Sequence, residues 1–85
     1  MRYQVVLVRS AEREFRKLPA DMGDRVAAAL RRLTQEPRPR GAGRLSQGPG
    51  WRVRVGNYRI LYTIDEHARL VTVYAIRHRR DAYRR

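Results

Sequence analysis

The chain has 85 residues, of which 20 are basic and 8 acidic, for a net charge of +12, and it contains no cysteine. That length suits one domain, residues 1–85, with a modest core; without Cys there is no disulfide framework, thiolate nucleophile or Cys-ligated metal site. Self-repulsion of this size stabilises no fold, so the composition points to a polyanionic partner.

Lys17 is the only lysine, so nineteen of the 20 basic residues are arginines, whose planar guanidinium groups grip phosphate oxygens in pairs. The opening residues, MRYQVVLVRS, lack a cleavable signal pattern, and no segment approaches the length of a membrane span. The expected location is the cytoplasm, with no membrane partner.

In chain order, YQVVLV (3–8) is a β-branched run of strand length. Ser10 is the predicted N-cap of a first helix, with Glu12 in its first turn and Ala11, Phe15 and Leu18 at helical spacing. Pro19 stops that helix or opens the next. Asp21 or Asp24 is expected to start a second helix, along which Val26, Ala27, Leu30 and Leu33 form an apolar stripe and Arg25, Arg31 and Arg32 lie off it. The segment from Glu36 to Gly50, with three Pro and four Gly, reads as a connecting loop.

WRVRVGNYRILY (51–62) then reads as a hairpin turning on Gly56-Asn57, so that Arg54 faces Arg59 and Arg52 faces Leu61. One face collects Trp51, Val53, Val55, Tyr58, Ile60 and Tyr62; the other collects Arg52, Arg54, Arg59 and Leu61. A last strand is expected from Leu70 to Ile76, followed by the basic tail RHRRDAYRR. The predicted order β-α-α-β-β-β gives a two-layer α+β fold, a helical hairpin packed on one face of a mostly antiparallel sheet, with the arginine face open.

The turn before the last strand fixes what joins that face. A three-residue turn places Arg77 on it, diagonally beside Arg59, whereas a four-residue turn shifts the parity and brings His78 there instead. Arginines opposite one another are unfavourable unless an anion lies between them. Such a face, with His78 and Tyr83 nearby, suits single-stranded RNA. It is also equipped for metal-free RNA cleavage, in which arginines stabilise the charge of the pentacoordinate phosphorus. Arginine hardly releases a proton, so proton transfer is assigned to His78, Tyr83 or an arginine in a perturbing environment. The two His are not spaced as a metal pair, and no cofactor is expected.

Three stretches carry a resemblance that covers essentially the whole chain: the spacing of Tyr3, Ala11, Phe15 and KLP (17–19), then WRVRVGNYRILYTID (51–65), then VTVYAIRHRRDAY (71–83). Together they resemble the RelE/ParE superfamily of bacterial and archaeal toxins. The resemblance implies a toxin neutralised by a cognate antitoxin that wraps it, monomeric alone and hetero-oligomeric in that complex. It further implies one of two activities: RelE-like members enter the ribosomal A site and cut mRNA, and ParE-like members act on DNA gyrase. The RelE branch places basic residues at positions matching Arg52, Arg54, Arg59 and Arg77 and a tyrosine at Tyr83, which favours the ribosome-dependent nuclease. Arg52 and Arg54 stand where the branch has lysines, which moves the proton-carrying role toward His78.

Overall fold

A computed structural model describes residues 2–46 and 48–82. Strand β1 (Gln4–Leu7) leads into helix α1 (Arg9–Arg16), and helix α2 (Ala20–Leu33) runs back to strand β2 (Gly43–Arg44). Strands β3 (Trp51–Val55), β4 (Tyr58–Asp65) and β5 (Leu70–His78) follow, and a single helical turn, α3 (Arg79–Ala82), begins the tail. The five strands form one sheet in the order β1-β5-β4-β3-β2, antiparallel except where β1 lies parallel to β5.

The local chemistry explains most boundaries. The amide of Val8 is still held by Val73 O, at 3.0 Å, and its carbonyl already accepts the Glu12 amide, at 2.9 Å. The strand therefore turns directly into the helix with Val8 at the N-cap, where no side chain caps it, and Ser10 lies within the first turn. Pro19 opens α2: its φ of −56° suits the N-cap, and its carbonyl accepts the Gly23 amide at 2.7 Å. The expected loop contains the two-residue strand β2, and β5 runs two residues past its predicted end.

Alternation sorts the sheet into two faces. Val53, Val55, Ile60, Tyr62, Val71, Val73 and Ile76 face the helices and pack against Ala11, Val26 and Leu33, with Phe15, Leu18 and Leu30 closing the rim. Tyr62 is fully buried, and its hydroxyl donates to Pro37 O at 2.7 Å, tying the segment after α2 to the middle of β4.

Burial pushes the Tyr62 phenol from 10.0 up to about 12, against a smaller opposing pull from Arg38. A phenol that ionises later in the folded chain contributes stability that is whole below pH 10 and is lost as the pH climbs toward about 12. Base unfolding is therefore expected to fall in that window, with Tyr62 phenolate absorbance rising together with loss of the circular dichroism signal. Ionisation of every tyrosine near pH 10, in a chain that stays folded, would contradict this burial.

Candidate functional site

The β3–β4 hairpin forms in the expected register. Gly56, at φ +59°, makes the tight turn, and Arg54 pairs with Arg59, Arg52 with Leu61 and Val53 with Ile60. The side of the sheet away from the helices therefore carries Arg52, Arg54 and Arg59.

What joins them from β5 is decided by two irregularities. The β4–β5 turn has four residues, Glu66 to Arg69, so that Asp65 pairs with Leu70; the Asp65 carboxylate accepts the Ala68 amide at 3.0 Å. That turn alone would have set Ile76 opposite Arg59. Between Leu61 and Tyr62, however, the ladder slips by one residue: Tyr62 pairs with Val73 and Leu61 with Ala75, leaving Tyr74 as an extra residue on β5. The bulge restores the parity, so Arg77 lies directly opposite Arg59 rather than diagonally. Arg54, Arg59 and Arg77 thus form a row across three adjacent strands, one strand spacing of about 4.8 Å between neighbours.

Different contacts hold the two ends of this cluster. Because β1 stops at Leu7, β5 beyond Val73 has no strand on its outer side. Glu14 of α1 fills the gap: Oε1 accepts the Ile76 amide at 2.8 Å, and Oε2 lies 3.6 Å from Arg77 Nε. At the other end, Arg52 Nη1 donates to Arg44 O at 3.1 Å. Arg44, Leu45, Ser46, Arg52 and Arg59 line a cleft of about 270 Å³. Leu45 and the Tyr74 hydroxyl both approach Gly50, each 3.3 Å from where a Cβ would sit. Burial raises the Tyr74 phenol above its ordinary value, and Arg77 opposes that rise.

His78 takes the other face. It pairs with Tyr58, the two rings meeting edge to face at 5.3 Å, and its Nδ1 accepts the Arg80 amide at 3.2 Å. It lines a groove with Glu14, Lys17, Leu18 and Tyr58, on the helix side of the sheet. The structure therefore sets Arg52, Arg54, Arg59 and Arg77 on one face of the sheet and turns His78 to the other, where it shares its groove with Arg77 at the sheet edge; Tyr83 lies outside the described residues. Sequence reading passed over Glu14, Gly43 and Tyr74. Only Gly43, a glycine within a β2 that was itself read as loop, carried a local signal.

A second cluster runs from the β4–β5 turn to Trp51 and meets the arginine cleft at Arg44. Tyr3 donates to Glu66 at 2.5 Å, Glu66 also pairs with Arg38, and Arg38 and Arg44 lie 5.2 and 5.6 Å from the centre of the Trp51 ring. The hydrogen bond from Tyr3, then Arg38, lowers the Glu66 carboxyl below its ordinary value. Among the described residues, no group of three or more His, Cys, Asp or Glu could hold a metal ion. None of the described helices is long and apolar enough to cross a membrane.

The family model described as the ParE toxin of a type II toxin–antitoxin system, parDE, matches residues 5–83. The chain belongs to this toxin family. Within the RelE/ParE superfamily, the toxin is similar in structure to the RelBE2 toxin–antitoxin complex of Mycobacterium tuberculosis. That match has 28% identity and a TM-score of 0.82, covering 92% of this chain and 99% of the other. The archaeal RelE–RelB complex of Pyrococcus horikoshii aligns with a TM-score of 0.82 at 24% identity, over 93% of this chain and 97% of that one. The E. coli RelBE complex aligns at 0.77 with 21% identity, over 87% and 93%. At these last two identities the likeness is one of fold. No curated protein matches the toxin.

Proposed function

We propose that this toxin is a metal-independent, ribosome-dependent endoribonuclease that cleaves mRNA in the A site and so stops translation. The supporting observation is the row Arg54–Arg59–Arg77, with Arg52 beside it, on the sheet face that the helices leave uncovered. Arginines on neighbouring strands repel one another, more weakly at Arg77 where Glu14 lies 3.6 Å away, and a phosphodiester between them relieves that repulsion. In the reaction the 2′-hydroxyl loses its proton as its oxygen bonds to phosphorus. The bond from phosphorus to the 5′-oxygen then breaks, and that oxygen takes up a proton. The arginines hold the phosphate and neutralise the extra charge of the pentacoordinate state.

The proton carrier is a separate matter. With its ring against Tyr58 and its Nδ1 engaged by the Arg80 amide, His78 fixes the start of the tail. The proton-transfer role then falls to Tyr83. His78→Gln is accordingly expected to slow single-turnover cleavage by less than about tenfold, since removal of a true general acid or base costs about 10²–10⁴-fold. A loss in that larger range would return the role to His78.

Inhibition of DNA gyrase is the second reading, favoured by the ParE description of the matching family model. Primer extension on a reporter message after brief induction, with gyrase supercoiling assayed in parallel, separates the two. New 5′ ends within codons and undisturbed supercoiling support the nuclease; intact message with blocked supercoiling supports the other.

The similar structures are toxin–antitoxin complexes, which supports a cognate antitoxin as the partner of this chain, forming a hetero-oligomer with a toxin that is monomeric alone. Acidic side chains of that antitoxin compete with phosphate for the arginine face.

A further inference from the structure

Glycine inside a strand weakens it, and one common reason for its presence is the close approach of another group. Gly43 is half of the two-residue strand β2 and pairs with Arg52. Its φ lies outside the left-handed region, unlike that of Gly41, Gly48, Gly50 and Gly56, so its backbone conformation is open to any residue. What is reserved at Gly43 is space. A Cβ there would lie 2.5 Å from Arg52 Nη1, 3.2 Å from its Cζ and 3.4 Å from its Nη2.

We propose that Gly43 is a positioning residue: its bare Cα leaves the slot in which the Arg52 guanidinium lies, so that Arg52 Nη1 reaches Arg44 O and the remaining N–H donors are held ready for an anion. The role of Arg52 follows from its anchoring. Free arginine side chains lose rotamer entropy when they are ordered. Arg52 is ordered before the anion arrives, held between the carbonyl of Arg44 on one side and the bare Cα of Gly43 beneath it. The Arg54 side chain, by contrast, is exposed. The cluster therefore combines a fixed guanidinium with one that adapts to the substrate.

Gly43→Ala is a clean probe because the atom in the way is the tip of a flexible side chain. The chain folds and the guanidinium is displaced. The catalytic consequence rests on the nuclease reading, and two measurements keep that reading separate from the positioning role. Ribosome-dependent cleavage is measured in four proteins: the parent, Gly43→Ala, Arg52→Ala and the double variant. Gly43→Ala is expected to slow cleavage by about 10- to 100-fold, the cost of misplacing a catalytic group by an ångström or so. In the Arg52→Ala background, the same change is expected to have no further effect beyond about twofold, because its action runs through a side chain no longer present. An equal loss in both backgrounds, or full cleavage by Gly43→Ala, overturns the proposal.

The second measurement is the guanidinium NMR signal of Arg52 in the free toxin. Resolved, slowly exchanging Nη protons are expected in the parent and averaged ones in Gly43→Ala. If the parent cuts no message, the nuclease reading fails, and the NMR comparison alone decides the positioning role. Unchanged Arg52 signals in Gly43→Ala then overturn it, and their averaging upholds it.

Discussion

Replacing Arg59 by alanine is expected to abolish growth inhibition and to lower mRNA cleavage by about 10²–10³-fold, the range seen when one donor to a developing oxyanion is removed. Arg59 is the middle of the row, with Arg54 across one strand gap and Arg77 across the other, so any phosphate gripped by two of the three is gripped through it. Its loss leaves Arg54 and Arg77 two strand spacings apart with no charge between them. Stability is expected to change by no more than about 1 kcal/mol. The packing lost with the aliphatic stem is offset by relief of repulsion with its two neighbours. The check is paired: cleavage by primer extension, and thermal unfolding of the same preparation. A folded Arg59→Ala protein that cleaves message at the parent's rate removes this face as the active site.

The largest stability loss is expected at Tyr62. Its ring is fully buried in the centre of β4, and its hydroxyl holds the carbonyl of Pro37. Tyr62→Phe keeps the ring but strands that carbonyl, a cost of about 1–2 kcal/mol. Tyr62→Ala also empties the site, and truncating a buried aromatic costs about 3–5 kcal/mol. For a chain of 85 residues, a total stability of roughly 0.05–0.15 kcal/mol per residue makes that loss about a quarter of the whole or more. The midpoint of thermal unfolding should fall on the order of 20 °C for Tyr62→Ala and several degrees for Tyr62→Phe. Equal midpoints for the two variants would show that the hydroxyl, not the ring, carries the energy.

Both residues are placed by local sequence. Both the Arg54–Arg59 pairing and the inward direction of Tyr62 follow from twelve residues of alternation around Gly56-Asn57, because strand parity and a two-residue turn are local properties. The apolar stripe of α2 is local in the same sense, and Val26 and Leu33 are buried as its spacing requires. The family was legible too, since its most specific stretches are the β3–β4 hairpin and the sequence IRHRRDAY (76–83) that begins at the end of β5.

The first helix shows where local reasoning stops. Ser10 has the chemistry of an N-cap, yet Val8 occupies that position because the parallel ladder to Val73 carries β1 straight into α1. The same limit governs the arginine face. By itself the sequence determined the two-layer α+β fold, the hairpin register and three of the four arginines on the open face. The tertiary structure alone decided that Arg77 completes the row and that His78 turns to the helix side. That choice depends on one unpaired residue, Tyr74. Its bulge arises where β5 passes from pairing with both β1 and β4 to pairing with β4 alone, and where Glu14, 62 residues earlier, takes the Ile76 amide. A one-residue slip reverses every side chain beyond it, and it is set by partners distant in sequence, so no window on β5 could have revealed it.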